Sequence, residues 1–292
     1  MIAATFVEHL QAQGRSPLTI MGYGSDLGHF LIWYQQTNGE LLEGAFTPTD
    51  VREYKAWLQT NERAAPATIN RRLAALKAYG AWLVESGLAE FNPAAAAREV
   101  RQQRLAPRWL DKAAQTRLTR ELERGMLAAR TDGARREAVR NFAIGILLLN
   151  TGLRVAELCA LMVADLTIGE RSGRLVVRSG KGDKYREVPL NLNARKALAD
   201  WLAWLPAPAV PPLVFALKPR AVQRLLAAVG RRAGVELTPH TLRHTFAHNL
   251  INAGVGLDRV AALMGHSNLE ATRRYTIPGA ADLAQAVGAL DD

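Results

Sequence analysis

Residues 238–250 read TPHTLRHTFAHNL. Thr238 followed by Pro239 opens a helix, and along it His240 and Arg243 stand three residues apart, so both project from one face. Working outward, four further strings carry isolated cations. These are Arg154 in TGLRVAEL, Lys181 in SGKGDKYREVPL, His266 in LMGHS, and Arg273 and Arg274 ahead of Tyr275 in TRRYT. Two arginines, a lysine and two histidines exceed what a fold needs. They suit a phosphate that gains negative charge as it reacts. Arginine donates through a planar fork to two phosphate oxygens, which lysine cannot copy. Tyr275 supplies a nucleophile that can bond covalently to phosphorus once its proton leaves, its free pKa being near ~10.

A rival reading of the same helix is a metal site. His240, His244 and His248 recur at i, i+4 and i+8, a spacing able to present imidazoles to zinc. No glutamate follows the first histidine and no cysteine stands nearby, so no metal is expected. His248 is expected to face solvent. Tyr34, Tyr54 and Tyr79 lie on apolar helix faces and read as core, whereas Tyr275 precedes Thr276-Ile277-Pro278, where a helix should end. Arg154 follows Gly152-Leu153 and opens a helix whose N-terminal dipole would also favour an anion. Glu157 lies one turn on, at the spacing of a surface pair with Arg154.

The chain has 292 residues with 49% hydrophobic and 22% charged, enough for two cores in an ordinary globular protein. No apolar stretch approaches the ~20 residues that span a bilayer. Phe142 to Leu149, the longest, reads as a buried helix. Residues 1–10 lack the layout of a signal peptide. A lone Cys159 on an apolar helix implies packing rather than a disulfide, and fits the reducing cytoplasm. Net charge is +10, unevenly spread: residues 1–95 hold 7 basic and 9 acidic side chains, residues 96–292 hold 30 and 18. The positive potential, and with it the attraction for a polyanion, belongs to the C-terminal part.

Periodicity predicts four helices in the first 90 or so residues: from Ala4 to Gln13, from Ser16-Pro17 through Tyr34, from a capped start at Thr47-Pro48-Thr49-Asp50, and from Pro66 to Gly87. Asn92-Pro93 ends this bundle. A basic stretch with Arg98, Arg101 and Arg104 follows and reads as a connector. Asp111 caps the next helix, and Ala134 to Asn150 forms another. Short alternating runs at Asp165–Ile168, Arg174–Arg178 and Tyr185–Val188, broken by glycines, predict a small antiparallel sheet. Leu213 to Ala216 reads as a further extended piece, and helices resume from Pro219.

Taken in order, TGLRVAEL, GKGDKYREVPL, TPHTLRHTFA, LMGHS and TRRYT resemble the motifs of the tyrosine recombinases of the phage-integrase family. The resemblance implies a mainly α fold with a small antiparallel β-sheet in the C-terminal domain. It also implies a C-shaped two-domain clamp on DNA: a helical SAM-like core-binding domain at 1–93, a linker at 94–107 and a catalytic domain at 108–292. The clamp begins almost at Met1, so no arm-binding domain is expected ahead of it. Carried over, the catalytic set is Arg154, Lys181, His240, Arg243, His266 and Tyr275. Arg154 and Arg243 would clamp the phosphate, Lys181 would protonate the 5′ leaving oxygen, and His266 would hydrogen-bond the scissile phosphate. The resemblance also implies that Glu157 orients or compensates the basic cluster. The implied product is a 3′-phosphotyrosyl link that conserves bond energy, so neither cofactor, ATP nor metal is required.

Candidate DNA contacts are Thr68, Asn70, Arg71, Arg72 and Lys77 on the fourth helix, Arg101 and Arg104 in the connector, and Lys184 and Arg274. The implied partner is double-stranded DNA carrying specific recombination sites. The implied synaptic assembly is a homo-tetramer, with a monomer as one state open to the chain off DNA. The Leu283, Val287 and Leu290 stripe either packs on its own domain or, as the resemblance implies, docks into a neighbour. Two other readings remain at this point: a type IB topoisomerase-like nicking-closing enzyme, and a non-catalytic DNA-binding regulator of the same fold.

Overall fold

The computed structural model describes residues 2–42, 46–102, 108–178, 185–206 and 213–265. By its internal contacts the chain separates into two units, Met1–Arg104 and Leu105–Asp292.

The first unit holds α1 (Ile2–Ala12), α2 (Pro17–Asn38), α3 (Pro48–Thr60) and α4 (Pro66–Glu85). Local chemistry sets these starts. The Ser16 hydroxyl accepts from the Thr19 amide and Pro17 supplies the first helical φ. Thr47 and Asp50 cap each other reciprocally at α3. The core between the helices is aromatic: Phe6, Phe30, Trp33, Tyr54 and Tyr79 are buried, with Phe6 edge-on to Tyr79 at 5.3 Å and Phe30 edge-on to Tyr54 at 5.1 Å. Burial pushes the Tyr79 phenol up to about 12 and the Tyr54 phenol higher still, so both tyrosines are core.

Asn92 marks the end of the bundle. Its amide donates to the Lys77 carbonyl, and its carbonyl oxygen accepts from the Ala94 amide. It seats on Gly80, where a Cβ would fall 2.1 Å from the Asn92 Oδ1. The chain then stays on this unit: Ala94 is fully buried, and Ala97 and Val100 pack against the core.

The second unit adds α5 (Lys112–Ala128), α6 (Asp132–Thr151), α7 (Val155–Ala160), β1 (Leu166–Ile168), β2 (Gly173–Arg178), β3 (Tyr185–Pro189), α8 (Leu192–Leu202), α9 (Pro219–Ala233), α10 (Pro239–Asn252) and α11 (Leu257–Met264). α6 is the central helix, with Ala143 through Leu148 buried. The strands pair antiparallel in the order β1-β2-β3, with Leu175 opposite Leu166 on one side and Val188 on the other. Asp165 braces the sheet: its buried carboxylate accepts from the Met162 amide and from Arg178 Nε at 2.5 Å.

Two expectations change. The stretch after Pro189, unassigned from sequence, contains α8, which Asn191 caps and which buries Ala194, Ala197, Leu198 and Trp201 at helical spacing. The extended piece at 213–216 reduces to one bridge, Leu213 with Met162, because Val214 turns to the Leu161 carbonyl and into the core.

Candidate active site

The site is assembled around one carboxylate. α6 ends at Gly152, whose φ of 62° stops the helix in the left-handed region. Its bare Cα packs on the Phe246 ring, where a Cβ would meet Cδ1 at 2.4 Å. That close approach sets Arg154 at the start of α7. Glu157 then reaches back one turn: Oε2 accepts from the Arg154 amide at 2.8 Å and Oε1 from the Arg154 guanidinium at 2.8 Å. α7 is only six residues long, and the anion at its first turn is Glu157 itself. The helix dipole expected to favour phosphate is therefore spent on an internal carboxylate. Nor is Glu157 a surface partner, since its side chain is 13% exposed.

Two more guanidinium groups meet it. Arg186 on β3 donates from both terminal nitrogens, at 2.9 Å to Oε1 and 2.7 Å to Oε2. Arg243 on α10 stands with its terminal nitrogen 3.9 Å from Oε2. The same three arginines also hold the end of α11. Arg186 Nε donates to the Leu263 carbonyl at 2.9 Å, Arg243 to that of Met264 at 2.6 Å, and Arg154 to that of Gly265 at 3.3 Å. Carbonyls at a helix end lack intrahelical partners and carry the negative end of its dipole, so cations are favourable there. A further bond from Arg243 to the Gly152 carbonyl, 2.5 Å, ties the α6 end to the cluster.

Burial by itself would raise the Glu157 pKa. The hydrogen bonds from Arg186 and Arg154, with the Arg186 charge, outweigh it and hold the carboxyl below its ordinary range. One negative charge among three fixed positive ones leaves the site cationic. The arginines are not equivalent in access: Arg154 is 44% exposed, Arg186 14% and Arg243 5%. Arg154 offers the open guanidinium face, while Arg243 and Arg186 lie beneath it. Arg186 escaped the sequence reading. Its signal was parity, since in the run from Tyr185 to Leu190 it falls on the same face as buried Val188 and Leu190.

Thr238 accepts from the Thr241 amide at 3.0 Å and Pro239 starts α10, which places His240, exposed, one turn ahead of Arg243. His248 corrects an expectation: it is buried, stacked on Trp109 at 4.2 Å and bonded to Asn252. The Trp109 ring, brought from 139 residues upstream, covers it. The His240 and His244 rings lie 6.3 Å apart, and no group of three His, Cys, Asp or Glu among the described residues is arranged to hold a metal. Burial raises the Cys159 thiol pKa, as a packing role requires. Lys181, Lys184, His266, Arg274, Tyr275 and Arg104 lie outside the described residues.

On α4 the candidate DNA contacts are differently committed. Asn70 clamps the Val100 backbone, donating to its carbonyl at 2.9 Å and accepting from its amide at 2.7 Å. Its amide is thus used inside the unit, because the chain after Asn92 folds back over α4. Arg71 pairs with buried Asp26 at 2.5 Å and is half exposed; Arg72 pairs with Glu62 and is largely covered. Thr68 and Lys77 are half-buried, and Arg101 is exposed. No helix among the described residues is long and apolar enough to cross a membrane.

Residues 116–280 match the model of the Phage integrase family, and residues 3–87 that of the Phage integrase, N-terminal SAM-like domain. The chain is 35% identical over 273 residues to tyrosine recombinase XerC of Corynebacterium efficiens, covering 90% of this chain and 82% of that one. It is 37% identical over 271 residues to tyrosine recombinase XerC of Chromohalobacter salexigens, covering 89% and 86%. In fold it is similar to the XerH site-specific recombinase bound to palindromic difH substrate in a post-cleavage complex. That likeness has a TM-score of 0.76 at 20% identity over 96% of this chain and 82% of that chain. An arginine cluster built on TGLRVAEL and TPHTLRHTFA, two matching family models and relatives aligned over most of their length lead to one conclusion: the chain belongs to the phage integrase family, the tyrosine recombinases.

Proposed function

We propose that this recombinase cleaves and rejoins double-stranded DNA at specific sites through a covalent bond to Tyr275, with its two units closing round the duplex. The Tyr275 oxygen attacks phosphorus and gives up its proton to solvent. The bond from phosphorus to the 5′ oxygen breaks, and the Lys181 ammonium gives a proton to that leaving oxygen and is reprotonated from solvent. A 3′-phosphotyrosyl link remains, and the 5′ hydroxyl of a partner strand reverses the step. His240 and His266 donate to the phosphate, and the exchange takes place within a homo-tetramer in the cytoplasm. The observation that carries this reading is the gathering of Arg154 and Arg243, 89 residues apart, at one carboxylate with a net positive charge. Such a fixed cationic site suits the extra charge of five-coordinate phosphorus.

The test uses a nicked suicide duplex and denaturing electrophoresis. Wild type forms a covalent protein–DNA adduct; Tyr275→Phe binds the duplex and forms none. Tyr185→Phe is the control, because Tyr185 is 58% exposed and is the most accessible large hydrophobic tyrosine among the described residues. An adduct that persists in Tyr275→Phe and disappears in Tyr185→Phe overturns the assignment.

A further inference from the structure

The three arginines around Glu157 divide their work unevenly. Arg186 directs its Nε to the Leu263 carbonyl and its two terminal nitrogens to the Glu157 oxygens. With Nε and both terminal nitrogens each directed at a protein acceptor, it is poorly placed to serve a phosphate. It is nonetheless the only one of the three to make a two-pronged pair with the carboxylate. Oε1 is shared between Arg154 and Arg186, and Oε2 between the Arg154 amide and Arg186, with Arg243 next in reach at 3.9 Å.

Removing Arg186 would vacate two acceptor positions on a partly buried carboxylate. A buried charge that loses a partner is left under-compensated, and the cations nearest to it are Arg154 and Arg243. Drawn toward the carboxylate, each would shift from the position in which its carbonyl bonds now hold it. The end of α11 would lose its bond at Leu263 at the same time. Gly265 is shaped for this arrangement: it has a φ of 64°, and a Cβ there would lie 2.7 Å from the Arg186 guanidinium.

We propose that Arg186 is a positioning residue for strand cleavage: it saturates Glu157 and pins the end of α11, so that the Arg154 and Arg243 guanidinium groups are held in the place where the scissile phosphate binds. The inference rests on the recombinase reading above and extends it to a residue that acts through the other two arginines.

The test compares wild type, Arg186→Gln, Arg186→Lys, Glu157→Gln and the double variant Arg186→Gln/Glu157→Gln. The rate of covalent adduct formation is measured on a nicked duplex, and affinity for the intact duplex is measured with Tyr275→Phe added to each. Arg186→Gln is expected to slow adduct formation by about ten- to a hundredfold, the cost of a small misplacement of groups that hold the reacting atoms, while affinity stays within about threefold. Arg186→Lys keeps the charge but not the fork and falls between. The double variant is expected to be faster than Arg186→Gln, because a neutral amide no longer draws the other arginines inward.

A merely structural role would slow the double variant further. An unchanged rate in Arg186→Gln, a parallel loss of rate and affinity, or a double variant no faster than Arg186→Gln each overturns the proposal. Should Arg186→Gln not fold, Arg186→Lys against Arg186→Lys/Glu157→Gln gives the same comparison. A wild type that forms no adduct removes the recombinase reading itself, which separates the two failures.

Discussion

Gly152→Ala perturbs the point where α6, α10 and the arginine cluster meet. Two costs can be worked out separately. Gly152 has a φ of 62°, and placing an alanine in the left-handed region costs about 1 kcal/mol. The added Cβ would also lie 2.4 Å from Phe246 Cδ1, 2.9 Å from Cε1 and 3.2 Å from Cγ. The ring is buried, and forcing a methyl group into a packed core costs about 1–3 kcal/mol. Together they predict a loss of about 2–4 kcal/mol. Each kcal/mol moves the midpoint by about 2–4 °C in a unit of this size, so the 105–292 unit should unfold about 10 °C earlier. Calorimetry of the full chain follows that transition beside the other unit's. The packing cost is separable: in Gly152→Ala/Phe246→Leu the smaller side chain relieves the clash, and the pair should be about 1–2 kcal/mol less destabilised than additivity predicts. Adduct formation should slow as well, because the Gly152 carbonyl holds Arg243. A midpoint within about 2 °C of wild type, or strict additivity in the pair, would refute the close-packing argument.

Glu157→Gln leaves Arg186 beside an amide in a mostly covered site and should cost roughly 3 kcal/mol, read by chemical denaturation. Because folding lowers the Glu157 pKa, its stabilisation is fully present above the unfolded value near ~4.3 and is lost as pH falls through the folded value. The wild-type midpoint should therefore drop in that acid window more steeply than that of Glu157→Gln, a difference visible in melting curves taken from pH 6 downward. Asn70→Ala removes both bonds to Val100. Hydrogen exchange should then show the Val100 amide losing protection by about tenfold or more, and unchanged exchange would mean that this clamp does not hold the segment.

Much of the fold was legible because helix ends and strand alternation are local. Ser16-Pro17, Thr47 with Asp50, Asp111 and Thr238-Pro239 each satisfy backbone groups within three residues, so the residues that start these helices are visible as strings. The alternation that marks β1 to β3 is local too, and so are the motifs that place Arg154, His240 and Arg243. α8 was harder to see. Its buried face is two alanines, Leu198 and Trp201, a weak periodic signal that matters because α6 is there to receive it.

What the amino-acid sequence determined by itself, then, was most of the elements, α8 excepted, and the cations they carry. The tertiary structure decided which of those cations meet. Arg154 bonds the Gly265 carbonyl across 111 residues, Arg186 bonds Glu157 across 29, and the buried His248 stacks on Trp109 across 139. Parity with Val188 and Leu190 marks Arg186 as inward-facing but not which partner it meets, and nothing within a few residues of His248 marks it as buried. Local bonds form wherever the chain has the right composition, whereas these pairings exist only after β3, α7, α10 and α11 have packed around a shared core and excluded water from the charges between them.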